Sequence, residues 1–343
     1  MKTKVMLIVA VLFLLASYSF AGGNNEAASD GGAAIPVKLT FSSVSVPGDA
    51  HTRAMQVFKL ELERISGGEM AVEVYHSGQL FSQEGEQAAV RKGTVDMIYT
   101  SPPWLAEFIP YLSMFGAVYT FSGYDHMKAV YNGELGKKVF QDVVDSQGIR
   151  PLGAFYLGTR ELNLVEKVGP VRTPADMAGV KLRTPGSPSW IALGKALGGN
   201  PTPMSFSEVY MGLKTGAVEG QDNPLPTDKN AKFYEVTKYI VLTDHVVDTI
   251  WPTINEKKWQ SLTSQQQEWV QEALVVAGEA CDKQVLDTEA SIKDFFISQG
   301  MIIIEDVDKA AFQEYAKNSY INDSPDISAS WDMDLYNEIQ SYK

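Results

Sequence analysis

From Pro36 to Pro224 short strand-like runs alternate with short helix-like runs, and glycine, proline or a capping residue stands at most of the junctions. Val37 to Ser43 reads as a strand. Ala54 to Ile65 places Met55, Phe58, Leu62 and Ile65 at helical spacing, and Gly67-Gly68 stops that helix. Met70 to Tyr75 then alternates as a strand, Gln83 to Arg91 as a helix and Thr94 to Tyr99 as a strand. The alternation resumes after Gly153. Thr173-Pro174 opens a helix that Gly179 closes, Val180 to Arg183 is a strand, and Ser187 or Ser189 caps a helix through Leu197. Ser205-Phe206-Ser207-Glu208 is a capping box opening a helix to about Lys214. Ala217 to Glu219 is strand-like, and Asn223-Pro224 reads as a turn. Such alternation predicts an α/β fold with a mainly parallel sheet. Beyond Trp251, Ser264 to about Gln299 is one helical pattern, longer than an ordinary globular helix.

The first 35 residues do not share this texture. Lys2 and Lys4 precede an apolar run from Val5, and Ser19-Phe20-Ala21 matches a small-x-small cleavage pattern. Residues 1–21 therefore read as a cleaved signal peptide, and the apolar run is too short for the ~20 residues a bilayer span needs. The Gly/Ala-rich stretch 22–35 reads as a flexible leader. Export, most simply to a bacterial periplasm, with no membrane insertion of the mature chain, is the expectation. With 42 acidic and 29 basic residues the formal charge is −13, so nucleic acid is not an expected partner, and an anion must be met by a local positive pocket. The single cysteine excludes an internal disulfide framework and a Cys-based structural zinc site.

Motifs of catalysis are missing: no HExxH, no phosphate-binding Gly-rich loop ending in Lys-Ser/Thr, no GxSxG and no CxxC. His51, His76, His126 and His245 lie far apart, so neither a metal nor a cofactor is implied. Binding has better support. In open α/β sheets ligands sit beyond the carboxyl ends of strands. Arg183 lies at such an end, just before a capped helix whose free amides also favour an anion. Arg160 follows Gly158-Thr159 at the start of another strand, and Asn223 lies just beyond Ala217–Glu219. Two guanidiniums and an amide suit a carboxylate, because the guanidinium fork matches both oxygens. Read alone, these residues leave open that both arginines form ordinary surface ion pairs.

At these residues the chain resembles the substrate-binding proteins of tripartite ATP-independent periplasmic (TRAP) transporters, the DctP-type family. The resemblance is carried by Pro201-Thr-Pro-Met-Ser-Phe-Ser-Glu-Val-Tyr210 and Gly220-Gln-Asp-Asn-Pro224. Gly158-Thr-Arg160, Pro174-Ala-Asp-Met-Ala-Gly-Val-Lys-Leu-Arg183, Lys232-Phe-Tyr-Glu-Val236, Ser66-Gly-Gly68 and Ser77-Gly-Gln-Leu80 support it. It runs from about Val37 to about Gln299. The resemblance implies a two-lobed binding protein, not an enzyme, with a ligand cleft between lobes and a long helix spanning both. Lobe I would take 36–157 and 249–287, and lobe II 158–248 and 288–343. Arg183 would pair with a ligand carboxylate, Arg160 would be the second basic contact, Asn223 would bond the same group and Phe206 would pack on the ligand. The loaded protein would dock on a membrane permease driven by an ion gradient.

Departures from the pattern bear on the ligand. Phe81 stands where the family often has glycine, and Ala117-Val-Tyr-Thr-Phe121 where it often has Pro-Phe-Leu-Phe. The block 201–224 is most similar to the sialic-acid-binding branch, yet Trp104 and Gly186 replace that branch's additional arginine and asparagine. This argues for a smaller acid, most simply a sugar acid such as a hexuronate, with an aromatic or aliphatic monocarboxylate as the alternative. An exported enzyme acting on a sugar acid, or a sensor module, is the reading from other classes. In the first lobe His51, Gln83, Glu84, Ser101 and Trp104 lie on predicted loops that could face the cleft, and Asp248 and Trp251 sit at the return crossing near the hinge. Cys281 reads as a small buried residue of the long helix.

Overall fold

The computed structural model describes residues 36–342. The expected signal peptide and leader, 1–35, lie outside the described residues. Ten strands form one sheet: β1 (Val37–Ser42), β2 (Met70–Tyr75), β3 (Met97–Thr100), β4 (Ile149–Pro151), β5 (Phe155–Leu164), β6 (Lys181–Thr184), β7 (Asn200–Pro203), β8 (Gly220–Pro224), β9 (Tyr239–Asn255) and β10 (Ile302–Ile304). Their order is β2-β1-β3-β9-β5-β8-β6-β7, with β4 and β10 also paired to β9.

β1 runs parallel to β2 and β3, and β6 parallel to β7 and β8, as strand–helix alternation requires. The two halves are joined by an antiparallel pair. β9 pairs with β5 through its first part and with β3 and β4 through Trp251 to Asn255. It is rich in Val, Ile and Thr and is buried almost throughout, which suits a strand paired on both edges. β5 crosses beside it, and its register shifts between Tyr156 and Gly158 and between Arg160 and Leu162. Gly158 adopts φ +125°, and a Cβ there would lie 2.6 Å from Pro224 Cβ, so only glycine fits this crossing.

Two main apolar cores give two lobes. One gathers Phe41, Phe58, Leu62, Met97, Trp251 and Leu274; the other gathers Leu162, Leu182, Trp190, Leu193 and Phe312. The helix Ser264–Glu289 starts at a capping box in which Thr263 and Gln266 exchange bonds at 3.2 and 3.0 Å. Val270, Leu274, Ala277, Cys281 and Val285 pack into the first core. At its far end Glu289 accepts from Thr159 N at 2.8 Å and Tyr156 Oη at 3.0 Å on β5, so the helix reaches the second lobe.

Several expectations need correction. The long helical pattern is two helices, Ser264–Glu289 and Ile292–Ser298, divided at Ala290–Ser291. The helix expected after Thr173 is a single 3-10 turn, Pro174–Met177. The capping box expected at Ser205 is not formed, because the Ser205 hydroxyl donates to Glu84 instead; another such turn, Phe206–Glu208, follows it and leads into the helix Val209–Thr215. The strand expected at 217–219 runs instead from Gly220 to Pro224, so Asn223 lies within it and not in a turn. Its sequence, GQDNP, has no strand propensity; pairing with β5 and β6 on either side supplies the order. The C-terminal helix Met333–Ser341, expected with lobe II, buries Ile339 in the first core, where His126 Nε2 meets the Ile339 carbonyl at 2.8 Å.

Candidate functional site

The lobes meet around a cavity of about 90 Å³. One water needs ~10–15 Å³ of such space, so the cavity is on the scale of a small solute. Strand ends and first helical turns supply its walls. From the first lobe come Ser43, Val44, Ser45, Asp49, His51, Gln83, Glu86, Tyr99, Thr100, Ser101 and Trp104. From the crossing strands and the second lobe come Leu157, Arg160, Asp248, Ile250, Arg183, Pro185, Trp190, Phe206, Asn223 and Thr227.

Arg183 projects from β6 and is 1% exposed. Its Nε donates to the Met204 carbonyl at 2.8 Å, while its buried Nη2 has no partner. Among the described residues no carboxylate pairs with it, and Asp222, Glu84 and Glu208 act on it only from a distance. Burial therefore pushes its pKa down to about 10, which still leaves it charged at neutral pH. The Phe206 ring centroid lies 6.0 Å from the guanidinium carbon. A buried cation without a counter-ion is costly, and an anionic ligand removes that cost.

Arg160 is also buried, but its charge is answered within the protein. Nε donates to Asp222 Oδ2 at 2.6 Å, Nη1 to Asp248 Oδ2 at 2.7 Å and Nη2 to the Asp222 carbonyl. Burial works against ionisation of Asp222, yet Arg160 and His245, whose Nε2 is 3.2 Å away, hold it well below the usual carboxylate range. Burial raises Asp248 despite the same arginine. The Trp190 ring lies 4.6 Å from the Arg160 guanidinium carbon, a cation–π contact. Neither arginine is a surface ion pair. Asn223 donates to Gln221 Oε1 at 2.5 Å, and Gln221 donates to the buried Asp228 at 2.8 Å, so the amide beside the cavity is held by its own strand.

The first-lobe wall is polar. Burial pushes His51 down to about 4, Asp49 up to about 6 and Glu86 up to about 8, because each lies where water is excluded. Ser43, Ser45 and Thr52 hydroxyls form a chain with spacings of 2.7 and 2.5 Å. Bonds at and beside this wall tie the first lobe to the second: Asn230 Nδ2 to Asp49 at 2.9 Å, Ser205 Oγ to Glu84 at 3.0 Å, and Ser187 Oγ to the Pro103 carbonyl at 2.8 Å.

Of the residues singled out from sequence, the cavity brings together Arg183, Arg160, Asn223, Phe206, Trp104, Gln83, His51, Ser101 and Asp248. Glu84 is not in its lining; it points to Ser205 at the edge where the lobes touch. Trp251 is not in the cleft either. It is fully buried in the first core, its ring 5.3 Å from Tyr131 and 5.0 Å from Phe140, because successive strand residues face opposite sides and Ile250 takes the cavity side. Sequence reasoning passed over Ser43, Asp49, Glu86, Tyr99 and Trp190. A signal existed for two of them: Ser43 lies at the carboxyl end of β1, and Glu86 sits on the same helix face as the buried Ala89 and Val90.

Two lobes closed over a small cavity of mixed polar and apolar lining, with a buried guanidinium unanswered among the described residues, are the arrangement of a solute-binding protein. Residues 41–323 match the family described as bacterial extracellular solute-binding protein, family 7, and the chain belongs to that family of periplasmic TRAP binding proteins, which are not enzymes. It is 32% identical to the sialic acid-binding periplasmic protein SiaP of Vibrio cholerae over 88% of this chain and 89% of that one. A TRAP solute-binding protein of Roseobacter denitrificans with bound 3-deoxy-D-manno-oct-2-ulosonic acid superposes with a TM-score of 0.83 at 36% identity, covering 89% of this chain and 99% of that chain. A second from the same organism, with bound L-galactonate, gives 0.81 at 32% identity with the same coverage. More distant solved relatives hold β-D-galacturonate and β-D-glucuronate.

Proposed function

We propose that this protein captures a sugar acid, a hydroxylated monocarboxylate of the hexuronate or aldonate kind, in the periplasm and delivers it to a TRAP membrane permease. The observation that carries the reading is Arg183: a buried guanidinium with an unpartnered Nη2, lining a cavity whose other wall includes the hydroxyl residues Ser43, Ser45, Thr100 and Ser101 and the carboxyl residues Asp49 and Glu86. Arg183 takes the ligand carboxylate, Phe206 packs beside it and Asn223 bonds the same group. Arg160, largely committed to Asp222 and Asp248, shapes the site more than it neutralises the ligand. Ligand carboxylate and Arg183 gain from each other because lobe closure excludes the water that would screen them. The bound sugar acids of the solved relatives support the same class. Export through the N-terminal segment and docking on the permease belong to this reading.

The test is a thermal-shift and calorimetric screen of hexuronates, aldonates, C4-dicarboxylates and aromatic or aliphatic monocarboxylates. The reading requires at least one sugar acid to bind more tightly than every unhydroxylated acid. Preference for an unhydroxylated monocarboxylate would replace it with an apolar-pocket reading built on Trp104 and Phe206, and turnover of a bound acid on long incubation would make the protein an enzyme.

A further inference from the structure

The first-lobe wall contains a carboxyl group that the carboxylate-binding account leaves without a task. Glu86 lies on the helix Gln83–Lys92 and is 2% exposed, on a face otherwise given to Gln87, Ala89 and Val90. Its Oε1 accepts from Ser42 Oγ at 2.7 Å, and the same residue lines the cavity. Among the described residues no lysine or arginine pairs with it and no hydrogen bond reaches its second oxygen. Its acidic neighbour Asp49 differs: both Asp49 oxygens are taken, by Asn230 at 2.9 Å and the Val46 amide at 3.0 Å. The raised pKa of Glu86 agrees with this isolation.

We infer that Glu86 is a specificity-determining residue that recognises a hydroxyl group of the ligand. A hydroxyl both donates and accepts, so it satisfies the free oxygen whether Glu86 is ionised or protonated. A methylene in the same place would strip water from that oxygen and return nothing. Sites built to bond a ligand hydroxyl reject analogues that lack it far more strongly than apolar pockets reject an added hydroxyl. Arg183 thus reads the acid and Glu86 reads the hydroxylation. This inference rests on the sugar-acid reading, which supplies the hydroxyls.

The test is calorimetric titration of wild type, Glu86→Gln and Glu86→Met with the tightest hydroxylated acid of the screen and with cyclohexanecarboxylate, which has a ring and a carboxylate but no hydroxyl. Glu86→Met should weaken the hydroxylated acid at least tenfold and leave cyclohexanecarboxylate no weaker than in wild type. Glu86→Gln, whose amide still bonds a hydroxyl, should bind the hydroxylated acid more tightly than the Met variant. Thermal unfolding establishes that each variant is folded; if Glu86→Met is not, Glu86→Leu takes its place. Affinity for the hydroxylated acid within threefold of wild type in the folded Met or Leu variant overturns the inference while the sugar-acid reading stands. Preference of wild type for cyclohexanecarboxylate over every sugar acid overturns both.

Discussion

Arg160 and Asp222 meet at 2.6 Å inside the second lobe, each almost completely shielded from water. The second guanidinium of the same cavity, that of Arg183, has no such partner among the described residues. Two arginines that look equivalent along the chain therefore do different work. One is part of the protein's own charge network, and the other is the charge that the proposed function assigns to a ligand carboxylate.

Removing the reserved charge should abolish tight binding. Truncating one partner of a buried, hydrogen-bonded charge pair costs about 2–5 kcal/mol. At ~1.4 kcal/mol per tenfold change, Arg183→Ala should weaken the ligand roughly 30- to 4000-fold by calorimetry. Arg183→Lys should also bind poorly, because an ammonium keeps the charge and loses the planar fork. Binding of the Ala variant within threefold of wild type would remove Arg183 as the carboxylate anchor.

Breaking the internal network should act first on stability. Asp222→Asn leaves Arg160 with Asp248 as its one carboxylate partner, and loss of a buried pair typically costs about 3–5 kcal/mol. Denaturant unfolding should place this variant near the lower end of that range, since Asp248 remains. A loss below about 1 kcal/mol would mean that the pair contributes far less than its burial implies.

Glu86 should leave a signature in the pH dependence of stability. Its carboxyl has an ordinary value of 4.5 and is pushed up to about 8 in the folded chain. The folded state therefore holds a proton that the unfolded chain releases, and this stabilisation is fully present below about pH 4.5 and lost as pH rises through about 8. Glu86→Gln lacks the titration. Asp49, His51, Asp248 and the two arginines face the same cavity and titrate in both proteins, so they cancel to first order in the difference. The melting temperature of Glu86→Gln minus that of wild type should become more positive between about pH 5 and pH 9; a flat difference would contradict the buried carboxyl.

Closure should depend on ligand. Asn230–Asp49, Ser205–Glu84 and Ser187–Pro103 close the lobes with three neutral or singly charged hydrogen bonds, while burying Arg183 opposes closure of the empty cleft. A ligand that bonds both walls favours the closed state by its differential affinity. Small-angle scattering should give a smaller radius of gyration with saturating ligand, and an unchanged profile would show that ligand does not drive closure.

Much of this molecule is written in short stretches of chain. The Thr173–Asp176 cap and the glycine stops are interactions between residues three or four apart, so local spacing reveals them. The strand–helix alternation, the carboxyl-end position of Arg183 and the motif 201–224 are local in the same sense, and together they define the α/β class, the family and the principal cation. What tertiary structure alone decided is which charges are answered and which side of a strand meets the cavity. Asp222 and Asp248 reach Arg160 from 62 and 88 positions away, and Ser42 meets Glu86 across 44. Whether Trp251 or Ile250 faces the cavity turns on a one-residue strand phase. Burial and pairing arise from contacts between distant segments, and a pattern read along the chain contains no term for the dielectric in which a charge will finally sit.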